Sequence, residues 1–307
     1  MSGHASLFSI VAFSILILVT PFAFAEEEKP RQSAKAPAKS HYHLFNPTPR
    51  ELMREMSTDR PDRTESAYTV DAGHFQVEMS FFDFAYDHDT SDGADVVSEA
   101  WAVPPINFKV GLLNNVDLQI IFDNYLYERI EDRDPDRDPS THDGTKEIRS
   151  GFGDMQVRTK INLWGNDGGV TALAVMPYIK FPTNTNGLGN DSVEGGIIVP
   201  LAVALPWDWS MGAQTEYDLV RNEEEDGYHA EFVNSITFSH DIIGNLAGYV
   251  EFFSMVSSRS KDAWVGTVDV GLTYAVTENI QFDCGCNFGV TPGADDFNPF
   301  AGISVRF

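Results

Sequence analysis

Pro299-Phe300-Ala301-Gly302-Ile303-Ser304-Val305-Arg306-Phe307 is the stretch that decides how this chain folds. Val305, Ile303 and Ala301 share one face of a strand, and Arg306, Ser304 and Gly302 share the other. Apolar toward lipid and polar toward a lumen is how the closing strand of a membrane barrel reads. The alternation ends on Phe307, where chain ends more often fray into polar tails.

The other end points the same way. Residues 1–25 carry no Asp, Glu, Lys or Arg, the run from Leu7 to Val19 is almost wholly apolar, and Ala23-Phe24-Ala25 precedes Glu26-Glu27-Glu28. That is the order of a secretory signal cleaved near Ala25. The segment Met1 to Ser6 lacks Lys and Arg, which departs from the usual signal and keeps a retained anchor as the alternative. Together the two ends predict export to a bacterial outer membrane.

Outward from the last strand, the chain from His74 divides into twelve alternating segments. They run near 74–85, 99–110, 115–127, 152–164, 169–181, 193–205, 208–220, 229–240, 245–257, 263–276, 279–289 and 299–307. Twelve is even, as single-chain bacterial barrels require. Tight connections (Gly111 to Asn114, Gly165 to Gly168, Pro206-Trp207, Asp241 to Gly244, Thr277-Glu278) alternate with longer, mostly acidic ones. Short periplasmic turns and long outer loops in an up-and-down antiparallel barrel produce that alternation. Trp164, Trp207 and Trp209 fall at the short-turn ends, where an interfacial girdle belongs. The fifth and sixth segments are apolar on both faces, so their facing stays open. Residues 26–72 precede the barrel (73–307) as a periplasmic tether, with a short helix that has Thr48 as N-cap, Pro49 as first helical residue and Glu51 completing a capping box, and are a candidate plug.

The formal net charge is −25, which is wrong for binding nucleic acid. Cys284 and Cys286 lie two apart in one strand, too far for an ordinary disulfide, and read as small residues facing lipid beside Phe282 and Phe288. Asp132-Arg133-Asp134-Pro135-Asp136-Arg137-Asp138 resembles a calcium loop in its alternating acids. Its interleaved Arg and Pro favour a solvated outer loop with weak divalent cation binding at most. No cofactor and no catalytic residue is expected.

The facing places acids in the lumen at Glu78, Asp117, Asp123, Asp154, Glu216, Asp218, Glu231, Glu251, Asp269 and Asp283, and bases at Lys109, Arg158, Lys160 and Arg306. Charges belong in a hydrated interior, not against lipid. A net-acidic pathway favours cations and neutral polar or aromatic solutes. The alternative is an interior in which acids and bases pair and leave no path. A barrel hydrolase is a further class, with His229, His240, Ser235 and Ser239 at or near the eighth strand, but no spacing there marks a nucleophile and its base.

Ser57-Thr58-Asp59-Arg60-Pro61-Asp62-Arg63-Thr64-Glu65-Ser66, then Tyr68-Thr69-Val70 and Asp71-Ala72-Gly73-His74-Phe75-Gln76-Val77-Glu78, resembles a family of exported barrels. Its members are labelled transporters, or proteins of the meta-pathway of phenol degradation. The resemblance implies an outer-membrane, porin-like barrel for uptake of small, including aromatic, compounds. Asp59, Arg60, Asp62, Arg63 and Glu65 are the candidates for docking the N-terminal segment at the periplasmic mouth. The expected partners are outer-membrane lipid, a small solute, and the barrel assembly machinery through Phe307. The reading is thus a twelve-stranded channel, with a closed structural or adhesive barrel acting through its acidic loops as the alternative.

Overall fold

A computed structural model describes residues 39–91, 94–133, 146–222 and 226–307. Residues 1–25, expected to be a signal, residues 26–38 of the expected tether, and residues 134–145 of the acidic loop lie outside the described residues.

Twelve antiparallel strands form one closed sheet. The first is Phe75–Asp89. The second runs as Val96–Ala102 and Pro105–Leu113, the third as Val116–Asp123 and Leu126–Asp132, and the fourth as Lys146–Gly151 and Met155–Trp164. Then come Thr171–Phe181, Glu194–Ala204, Trp209–Arg221, Tyr228–Ile243, Leu246–Ser257, Val265–Thr277, Ile280–Gly289 and Phe297–Arg306. The last strand returns to the first, with Gln76 opposite Arg306 and Met79 opposite Ile303. Closure gives each strand two neighbours and removes the free edges that lipid would not satisfy.

The second to fourth strands are interrupted at Val103-Pro104, Asn124-Tyr125 and Phe152 to Asp154. Pro104 has no N–H to give the ladder. Main-chain bonds carry the sheet past the interruptions, from Val103 N to Tyr125 O and from Gly153 N to Asp123 O, both 2.9 Å.

Alternation sets the register. Phe252, Val270, Leu272 and Phe282 are exposed outward, while their neighbours Glu251, Asp269 and Asp283 are buried inward. A one-residue slip would send every inner charge into lipid, at about 2–4 kcal/mol each for a basic residue at mid-membrane. Cys284 and Cys286 are unbridged thiols.

In the fifth strand Ala172, Ala174 and Met176 point inward and are buried, and in the sixth Ile198 does the same. This wall is apolar on both sides because its inner face meets protein: Ala67 packs on Ala172 and Ala174, with Tyr68 and Ala202 at the margin.

The N-terminal helix shrinks to one 3-10 turn, Arg50–Leu52. Its expected capping box is not formed: the turn has no side-chain cap, and the buried Thr48 hydroxyl has no hydrogen-bond partner. Met53 is already extended, and the next residue is held at the tight-turn end: Arg54 N donates to Asp71 Oδ2 at 3.0 Å, and its guanidinium to Asn114 and Asp167.

Candidate functional site

Residues 57–66 have neither helix nor strand period, so their backbone groups need partners from elsewhere. The barrel's inner wall supplies them. Asp59 N donates to Glu78 Oε2 at 3.0 Å, and Arg63 N and Thr64 N donate to the two oxygens of Glu251 at 2.8 Å each. Glu65 N donates to Gln214 Oε1 at 2.7 Å, Thr69 N to Asn166 Oδ1 at 3.1 Å, and Val70 N to Asp117 Oδ2 at 2.9 Å. Acids spaced along several strands thus act as acceptors for one extended segment lying inside the lumen.

Side chains complete the docking. The Asp59 carboxylate bridges Lys109 and Lys160, with Lys160 Nζ at 2.5 Å and Gln119 Nε2 at 3.2 Å. Arg60 forms a two-point pair with Asp283 and donates to Ser80 Oγ at 2.6 Å. Gly302 makes room for it: a Cβ there would lie 2.5 Å from the guanidinium. The Arg63 guanidinium lies over the Phe253 ring, 4.5 Å from its centroid, and 3.9 Å from Asp269. Thr64 Oγ1 bonds Ser235 Oγ at 2.6 Å, Glu65 pairs with Arg158, and Asn162 Nδ2 holds Ala67 O at 2.8 Å. The peptide bond between Arg60 and Pro61 is cis.

Burial alone would raise the Asp59 carboxyl, but Lys109 and Lys160 outweigh it and hold it well below the usual carboxylate range. Asp62 is the opposite case. Burial, with the Glu65 and Asp59 charges nearby, pushes it up to about 7.

The remaining inner groups run from mid-strand toward the loops, with Arg306 at the other end. Glu216 accepts from Gln214 Nε2 at 3.0 Å, Asp218 accepts the Tyr178 hydroxyl, and Glu231 lies 3.2 Å from His229 Nε2. Asp154 holds Thr183 N and Asn184 N at 3.0 and 3.1 Å, and Asp123 borders a cavity of about 230 Å³ with Phe122, Phe152 and Met155. Asp218 and Glu231 lie in the loop-side half of their strands, and Asp123, Asp154 and Glu216 near the middle. At the tight-turn end Arg306 bonds Asn279 Oδ1 and Arg54 O, beside a cavity of about 830 Å³ that also meets Arg50 and Phe307.

One expectation shifts. Arg63, Thr64 and Glu65 reach Glu251, Ser235 and Gln214 near mid-strand, higher than the mouth, while Asp59 and Arg60 pair in the tight-turn half of the wall, with Lys109, Lys160 and Asp283. The hydrolase arrangement is not assembled: His229 bonds Asn222 and Glu231, His240 bonds Trp207 O and Asp241 O, and Ser235 bonds Thr64. Among the described residues no group of three or more His, Cys, Asp or Glu is placed to hold a metal. Gln76, Gln119, Gln214 and Asn162 were missed as docking partners, although each is a polar residue on the inner face of its strand.

The family described as "Putative MetA-pathway of phenol degradation" matches residues 58–307, from the docking segment through the last strand. The chain belongs to this family. Among solved structures it is similar to an outer membrane channel from Pseudomonas putida, with a TM-score of 0.55 and 12% identity over 82% of this chain and 100% of that one. It is also similar to the translocator domain of the autotransporter NalP from Neisseria meningitidis, with a TM-score of 0.50 and 7% identity over 76% and 88%. At such identities the likeness is one of fold, a closed β-barrel. No curated protein matches the chain.

Proposed function

We propose that this family member is a passive outer-membrane channel for small solutes, including aromatic compounds, whose resting lumen is occupied by its own N-terminal segment. The observation that carries the reading is the inner wall. It is charged and amide-rich inside a closed barrel whose outer face is apolar, and its ligand in the resting chain is a strip without secondary structure of its own. A barrel meant only as an anchor has no need of a polar interior on this scale. The family's phenol-degradation description supports an aromatic cargo, and the similar Pseudomonas putida protein is described as a channel. In this reading residues 1–25 are a signal cleaved near Ala25, 26–72 a periplasmic tether ending in a plug, and 73–307 the barrel. Phe307, whose side chain is exposed and whose N–H pairs with Phe75 O at 2.8 Å, is the handle for the assembly machinery.

The test is ion conductance of the refolded mature chain in planar bilayers, followed by vesicle swelling in small polar solutes. Discrete cation-favouring steps are expected. The wall-to-wall docking favours a second reading, a permanently closed barrel working through its outer loops. Folded, inserted protein that stays silent with and without residues 57–66 would establish that one instead.

A further inference from the structure

Lys109 and Lys160 are 1% and 0% exposed, on the inner faces of the second and fourth strands. Gln119 lies between them on the third strand, opposite Lys109 in register. A buried ammonium requires a counter-charge and acceptors. The wall provides part of this: Glu78 pairs with Lys109. Asp117 sits opposite Lys160, but its oxygens are taken by Val70 N and Gln119 Nε2. The group that bridges both lysines is the Asp59 carboxylate, one oxygen to each, with Gln119 donating to the oxygen that Lys109 holds. Asp59 does not belong to the wall. It arrives on a segment held by side-chain contacts rather than by a sheet.

We propose that Lys109, Lys160 and Gln119 form a carboxylate-binding site on the channel wall, occupied at rest by Asp59 and taken by small carboxylated solutes, aromatic carboxylates among them, when Asp59 leaves. The proposal rests on the channel reading and names its solute class. Two ammoniums and an amide converging on one carboxylate give charge-assisted hydrogen bonds, which a neutral solute of the same shape cannot match. The site also offsets the acidic loop-side half of the lumen, where Asp218 and Glu231 repel an incoming anion. Asp59 is tethered, so it competes as an internal ligand at an effective concentration on the order of millimolar or above. Free carboxylates therefore bind the wild-type chain weakly, and removing the tethered one exposes the site.

The experiment is calorimetric titration of the full chain, folded in detergent, with benzoate and with benzyl alcohol as the uncharged control. D59A is expected to bind benzoate about ten-fold or more tighter than wild type, since the competing tethered group is gone. The gain should vanish in D59A/K160Q, and benzyl alcohol should show none. Where D59A/K160Q fails the heat-modified gel shift of a folded barrel, D59A/K109Q takes its place. No gain in D59A, a gain that survives loss of either lysine, or an equal gain for benzyl alcohol overturns the proposal. Binding is read without flux, so a folded channel that conducts but gains no benzoate affinity sinks this site alone. Silent protein that does gain affinity sinks the channel reading instead.

Discussion

Arg60 and Asp283 stand 223 positions apart and meet as a two-point ion pair inside the barrel, Nη2 to Oδ1 at 2.7 Å and Nε to Oδ2 at 3.3 Å. Asp283 is a wall residue whose side chain is fully buried, and Arg60 belongs to the docked segment. Removing one partner leaves a buried charge unpaired, which costs about 3–5 kcal/mol where the pair is dry and less in a hydrated lumen. R60A should therefore loosen the segment more than an R60L/D283L double substitution, which removes both charges. Single-channel open fraction in the double-mutant cycle checks this. Equal effects would show that the pair is not what latches the segment.

Deleting residues 57–66 should raise conductance while the barrel stays folded. Its strands close on one another through main-chain ladders that do not involve those residues. The heat-modified gel shift should persist, and current per channel should rise. Unchanged current and unchanged stability would remove the plug from the account.

Acidity should tighten the docking. Asp62 in the docked state titrates near 7 against an ordinary 3.8, so between those values the docked state holds a proton that the released segment has lost. Docking therefore weakens as pH rises through that window, by at most about ten-fold per pH unit for one proton. Asp59 is shifted the other way, so its contribution is present above 3.8 and is lost only as pH falls below it. Open fraction should climb from pH 5 to pH 8 in wild type and flatten in D62N. A climb of the same size in D62N would assign the proton elsewhere.

Ala67 is 1% exposed and packs against Ala172 and Ala174. Leucine at this position overpacks an alanine-lined wall, at about 1–3 kcal/mol. A67L should leave barrel formation intact and speed cleavage within residues 57–70 by an added protease. Protection equal to wild type would mean that the apolar patch does not hold the segment.

Much of the wall was legible because lipid enforces a local rule. In the third strand Val116, Leu118 and Ile120 alternate with Asp117 and Gln119, and no distant contact is needed to tell which side meets hydrocarbon. The fifth and sixth strands defeated the same rule. Ala172, Ala174, Met176 and Ile198 are as apolar as their lipid-facing neighbours, and Ala172 and Ala174 face Ala67, a partner more than 100 positions away in the chain. The expected helix is cut short for a related reason: Pro49 and Glu51 favour a start, but Arg54 is pulled into contacts with Asp71, Asn114 and Asp167.

The sequence by itself determined the barrel and its twelve crossings, because strand period and the intolerance of lipid for charge act residue by residue; the expected inner charges leave out Glu194, buried on the sixth strand and paired with Lys180. Only the tertiary structure decided what those charges do. Asp59 meets Lys160 across 101 positions, and Glu251 takes the N–H groups of Arg63 and Thr64 from the far side of the closed sheet. Such pairings depend on where closure brings each wall around the segment, and a long-range geometry of that kind leaves no mark in local spacing.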